Sequence, residues 1–170
     1  MSGGLTAAAV AAKGLNEAVQ ITGASLVEIV ARYLKPGGPP PYAIGVELSA
    51  VHWARREGQV RGVFPIQVTV RRPVSDSELE DLAEITVAYQ CVYNFLRDPG
   101  ETDLAAIPSF LSTVGWSHAW PYLRAEVQSI SSRLGLPAVI LPMLLPGQAE
   151  QVPVFVLDES TSEGQTDAKQ

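Results

Sequence analysis

The chain has 170 residues, 46% of them hydrophobic and only 18% charged, with a formal charge of −6. That length fits one domain with some residues left over at its ends. An acidic chain without clustered lysine and arginine is not built to replace counterions at phosphates, which argues against a nucleic-acid partner; a single cysteine, Cys91, excludes an intrachain disulfide framework.

The low charge beside a high apolar content points to apolar surface used for association. Residues 1–12 carry no basic stretch ahead of their alanines and make a poor signal peptide. No apolar run approaches the roughly 20 residues that span a bilayer. We therefore expect no membrane insertion and a reducing, cytoplasmic location.

Residues 1–20 are rich in Ala and Gly and read as a flexible or short helical segment; Gly14 weakens a helix over 5–19. From Ser25 the period becomes two. Val27, Ile29, Ala31 and Tyr33 share one face, Leu26, Glu28, Val30, Arg32 and Leu34 the other, and the Pro/Gly-rich residues 35–41 close this first strand. A second strand over 42–53 sets Tyr42, Ile44, Val46, Leu48 and Ala50 in an apolar row, and Arg55-Arg56-Glu57-Gly58 reads as a hairpin turn. A third over 60–70 aligns Phe64, Ile66, Val68 and Val70, with Pro65 demanding an edge position or a bulge. A fourth over 80–95 aligns Ala83, Ile85, Val87, Tyr89, Cys91, Tyr93 and Phe95.

Four strands with one apolar face each make a one-sided antiparallel sheet that needs a cover. A short helix over 104–114 supplies part of it, with Pro108 early in its course and Gly115 as an interruption. A longer helix then carries Trp116, Trp120, Leu123, Val127, Ile130 and Leu134 at spacings of 4, 3, 4, 3 and 4, with Ser117 as N-cap and Gly135 as stop. The fold class is α+β, a four-stranded antiparallel sheet covered by a short and a long C-terminal helix. An extended apolar, proline-punctuated arm follows over 136–146, and residues 148–170 read as a polar, acidic, disordered tail behind a domain spanning 21–147.

Catalysis and metal binding leave little trace. His52, His118 and Cys91 show no metal-ligand spacing. Cys91 falls on an apolar strand face, where a small buried hydrophobe is the ordinary reading. Ser117 and His118 are neighbours in sequence, which on a helix points their side chains apart. Gly37-Gly38 precedes a strand and so is no phosphate loop. We expect no enzyme activity, no cofactor and no metal.

The segment Ala119-Trp120-Pro121-Tyr122-Leu123-Arg124-Ala125-Glu126, with Ser131-Ser132-Arg133-Leu134-Gly135-Leu136-Pro137 after it, resembles the opening and close of the long helix in the SecB-like chaperone family. Its place after four strands and a short helix extends the resemblance over 21–146. The resemblance implies an ATP-independent holdase, a homotetramer built as a dimer of dimers, that keeps unfolded or nascent polypeptide in apolar grooves. The matching client-binding positions are Tyr42, Trp53, Phe64, Trp120, Leu123, Val127, Ile140, Leu141 and Met143, each of which ordinary core packing would also explain. The family's exporting members dock the SecA translocase motor on an acidic sheet surface. Glu28 and Glu84 match that surface, but Arg32 stands where an acid is usual and weakens such a dock. Other SecB-like proteins serve a dedicated antitoxin, and both duties stay open. The alternative is a small-ligand-binding or structural oligomer of the same fold.

Overall fold

The computed structural model describes residues 7–36, 41–75, 78–136, 138–144, 147–149 and 151–157. The first six residues, the loop at 37–40 and the acidic end beyond residue 157 lie outside the described residues.

A long hairpin forms the spine. Strands β4 (Gln59–Ser75) and β5 (Glu78–Phe95) pair antiparallel from Gln59↔Asn94 to Ser75↔Glu78. Strand β1 (Val19–Tyr33) lies antiparallel on the far side of β5. Strands β2 (Ala43–Leu48) and β3 (Val51–Arg56) share the other side of β4. A three-residue strand, β6 (Val154–Val156), adds parallel to β3. The order is β1-β5-β4-β3-β6, with β2 beside β3 along β4.

The sheet thus has six described strands rather than four, and one bulge accounts for part of the difference. Leu48 faces Ile66, yet His52 faces Val63, so β2 and β3 are one strand with a residue inserted near Ser49. Pro65 lies opposite the insertion, and its carbonyl accepts from the Ser49 N–H at 3.0 Å. A strand residue turns its N and its C=O to the same side, so the donor that Pro65 lacks falls at the bulge, where no ladder bond is forfeited. The Glu57-Gly58 turn into β4 has both residues at positive φ, 49° and 78°, as a tight two-residue hairpin requires.

Strand β1 begins at Val19, before the expected Ser25, because the chain passes directly from helix α1 (Ala7–Ala18) into the sheet. Register shifts at Ile21/Gly23 and Leu26/Glu28 break the alternation there. The second shift also moves Leu26, opposite Tyr89, onto the same face as Ile29, Ala31 and Tyr33.

Helices α2 (Glu101–Phe110) and α3 (Trp116–Arg133) cover that face, and a π-helical turn over Leu111–Gly115 joins them without a break. Gly115, expected as an interruption, therefore lies within continuous helical backbone. A Cβ there would lie 2.6 Å from Phe64 Cζ, and one on Gly62 would lie 3.1 Å from the same ring. Both glycines exist so that Phe64 can fit between sheet and helix, edge-on to Trp116 at 5.3 Å. Ser117, inside a continuous helix, donates from Oγ to Val114 O at 2.6 Å instead of capping.

Gly135, at φ 69°, does end α3. Its N–H donates to Ser132 O and that of Leu136 to Ser131 O, which caps the last carbonyls in a Schellman arrangement. The core lies between sheet and helices, with Ile66, Val68, Ile85, Val87 and Tyr93 against Phe110, Leu111, Trp116, Leu123, Val127 and Ile130. Helix α1 packs on α2 through Ala12 and Leu15. No described helix is long and apolar enough to cross a membrane.

Candidate peptide-binding groove

The apolar row of β2 continues the helix face of the sheet, since Val46 pairs with Val68 and Leu48 with Ile66. At this margin the helical layer thins. Trp120, on the second turn of α3, leans over β2, and the extended arm after Gly135 runs back along it. A groove of about 270 Å³ opens there, lined by Val46, Leu48, Trp120, Pro142, Met143, Leu144 and Gln148.

Two hydrogen bonds place the arm. The buried Ser131 Oγ donates to Gln128 O at 3.0 Å and accepts from the Val139 N–H at 2.9 Å. The Trp120 Nε1–H donates to Pro142 O at 3.0 Å. Between those anchors the extended backbone alternates its side chains. Val139 and Leu141 are buried in the subunit, and Ile140 points outward, 56% exposed. Met143, just beyond the second anchor, overhangs the groove and is 76% exposed. None of the lining side chains is ionisable, so the groove offers apolar contact and one amide, Gln148, rather than acid–base chemistry.

Of the positions matched in the sequence, Trp120 and Met143 line this groove. Phe64, Leu123, Val127 and Leu141 are fully buried core side chains and present no surface to a client in this arrangement. Tyr42 packs partly buried beside the core. Trp53 lies farther along the sheet, opposite Gly62 on the helix face, and is also half-buried. Val46, Leu48, Pro142, Leu144 and Gln148 were not singled out in the sequence. Val46 and Leu48 belonged to a recognised apolar row, and the only missing signal was that the cover ends above them.

The polar candidates are scattered. His118 is half-buried against the rings of Tyr93 (5.8 Å) and Phe110 (6.5 Å), and burial lowers its pKa below the ordinary 6.5. His52 is on the opposite face beside Phe155. Burial pushes the Cys91 thiol up to about 11. No group of three or more metal-ligating side chains occurs among the described residues. On the outer face, Glu28, Arg32 and Glu84 gather with Val30, Gln67 and Thr86 around a shallow hollow of about 260 Å³. Arg32 stands directly across from Glu84 in the ladder, so this acidic surface has a cation set into it.

No family model and no curated protein sequence matches the chain. Among solved structures, the chain is similar to the SecB-like chaperone Rv1957 of Mycobacterium tuberculosis, solved in complex with a ChAD peptide from the antitoxin HigA1 (Rv1956). The match has 19% identity and a TM-score of 0.62, covering 80% of this chain and 97% of that one. A protein of unknown function from Streptococcus agalactiae matches at 12% identity and a TM-score of 0.34, over 74% of this chain and 97% of that one. The element order, the one-sided sheet under a short and a long helix, and the first of these matches agree: this chain has the SecB-like fold.

Proposed function

We propose that the protein is an ATP-independent chaperone, a holdase that keeps non-native polypeptide on apolar surface. The observation that carries this reading is the groove under Trp120. It is open and apolar, has no ionisable side chain, and is edged by an overhanging methionine whose flexible thioether adapts to varied partners. The fold it shares with a chaperone solved with an antitoxin peptide supports the same reading. An antitoxin is also the client class we favour over exported chains, because Arg32 opposite Glu84 dilutes the acidic surface that a dock for the SecA motor would use.

Copies of the chain associate in this reading, as a dimer of dimers. Leu26, Ile29 and Tyr33 on β1 and Tyr122 on α3 are exposed large side chains on the helix face of the sheet or on the helix that covers it. Strand β1 has no neighbour on its outer side among the described residues. Weak contacts at several grooves of one assembly then add through multivalency.

The test is aggregation of an unrelated, chemically unfolded protein diluted into buffer without nucleotide, read by light scattering beside sedimentation of the chaperone. Protection by a species larger than 18.2 kDa is expected. A monomer, or an oligomer that leaves scattering unchanged in molar excess, overturns the proposal.

A further inference from the structure

Residues 151–157, read in the sequence as part of the tail, return to the sheet along the side of β3 that faces away from β4. The Val51 N–H donates to Pro153 O at 2.8 Å, and the Leu157 N–H donates to Trp53 O at 2.7 Å. Val51, His52 and Trp53 lie opposite Val154, Phe155 and Val156 in parallel register, whereas every other described pairing in the sheet is antiparallel. Backbone groups alternate along a strand, so Phe155, midway between those two bonds, turns both its N–H and its C=O toward β3.

This pairing is lightly held. Val154 packs against the core, but Phe155 is 53% exposed beside His52 and Val156 is 62% exposed. Val152 anchors the segment just ahead of the strand, but past Val154 the attachment is backbone bonds, which read spacing rather than side-chain identity. The edge is also continuous with the groove: β2, which floors the groove through Val46 and Leu48, passes into β3 after only Ser49 and Ala50.

We infer that the β3 edge is a second polypeptide-accepting surface, on which an extended client segment rich in β-branched or aromatic residues pairs parallel to Val51–Trp53 by displacing the chain's own residues 154–157. The occupant is identified by what already sits there. A Val-Phe-Val segment has the side chains that suit a pleated, half-covered edge, and a client carrying a similar segment offers the same donors and acceptors. The chain's own segment, tethered nearby, keeps the edge from pairing with weak or inappropriate strands. This inference rests on the holdase reading above.

The probe is a fluorophore-labelled peptide of residues 151–157, with the same peptide carrying Phe155→Pro as control. Its anisotropy is measured with the full chain and with the full chain carrying Phe155→Pro, whose segment lacks the donor facing β3. A tethered competitor acts at an effective concentration on the order of millimolar, so the peptide should bind the variant at least ~10-fold more tightly than wild type. The control peptide should bind neither. Hydrogen exchange on wild type saturated with peptide decides the matter even if the variant misfolds: the Phe155 amide should lose protection while the amides of Val51 and Trp53 keep theirs. Equal affinity for both chains, or a Phe155 amide that stays protected under saturating peptide, overturns the inference. The aggregation assay run on the same proteins separates it from the holdase reading. A wild type that protects its client while the peptide never binds sinks the edge alone. A peptide that binds the edge of a chain protecting nothing sinks the holdase and leaves the edge as a peptide site.

Discussion

Leu141 and Met143 are two residues apart on the same arm, yet serine at each should do opposite things. Leu141 is fully buried among core side chains. Truncating a buried leucine costs about 2–5 kcal/mol, and a hydroxyl without a partner adds to that. At roughly 2–4 °C per kcal/mol for a domain of this size, Leu141→Ser should lower the melting temperature by roughly 6–12 °C for a loss near 3 kcal/mol. Met143 is 76% exposed, so most of its apolar area remains unused in the free chain. Complete burial of a methionine is worth about 1.5–3 kcal/mol. Three-quarters of that, recovered when a client covers it, is about 1–2 kcal/mol, or about tenfold in affinity at each groove. Met143→Ser should therefore melt like wild type, sediment like wild type and hold client about tenfold more weakly. The two variants are compared in a thermal melt and in anisotropy with a labelled unfolded client. A Met143→Ser chain that binds as tightly as wild type would refute the placement of the groove, and a Leu141→Ser chain of normal stability would refute the assignment of the arm's inner face.

Three other outcomes follow from the packing. Gly115→Ala puts a methyl group 2.6 Å from the Phe64 ring and should destabilise by about 1–3 kcal/mol in chemical denaturation, far more than a glycine-to-alanine change in an open helix. Ser131→Ala leaves the Val139 N–H without its acceptor; a loss of about 1–3 kcal/mol is expected, with faster hydrogen exchange at Val139 as the specific sign. His118 is held below its ordinary 6.5 by burial, so the unfolded chain takes up the proton first as pH falls. Wild type should lose stability as pH drops below about 6.5, the loss levelling off once pH passes the lowered folded value. His118→Phe, fitting against Tyr93 and Phe110, should flatten that part of the melting profile.

The strand pattern was readable because alternation on a half-covered sheet is written in side-chain identity. The rows of β4 and β5, the Glu57-Gly58 turn and the demand made by Pro65 all appear in the structure as the sequence implies. What failed to show has physical reasons. The shifts at Thr22 and Val27 scramble a period-two count, so β1 reads shorter in the sequence than it is. Gly115 reads as an interruption because a glycine kept for close approach to Phe64 looks the same in sequence as one kept for its φ. Strand β6 has three residues and only one half-buried side chain, too little pattern to rise above a tail. The groove was legible in part. Trp120 and Met143 were named, while its floor at Val46 and Leu48 was not, since an apolar row does not reveal where its cover ends. Along the arm the alternation was legible but its phase was not, because nothing in Ile140, Leu141 and Met143 says which of them the Ser131–Val139 bond will turn inward.

The seating of Phe64 between Gly62 and Gly115 has a mechanical consequence. With the ring seated between the two glycines, sliding or lifting the helical layer over β4 would cost the packing of Phe64 against Gly115 and Trp116. The two sides of the groove then differ in how firmly they are packed. Trp120 and β2 form an anvil seated on the core, whereas Met143, beyond the Trp120–Pro142 bond, is 76% exposed. In the proposed holdase, bulky and slender occupants would be accommodated on that exposed side, with little strain passed to the core. Selectivity in such a clamp would then come from the direction in which a chain lies along the anvil, more than from the size of the side chains it carries.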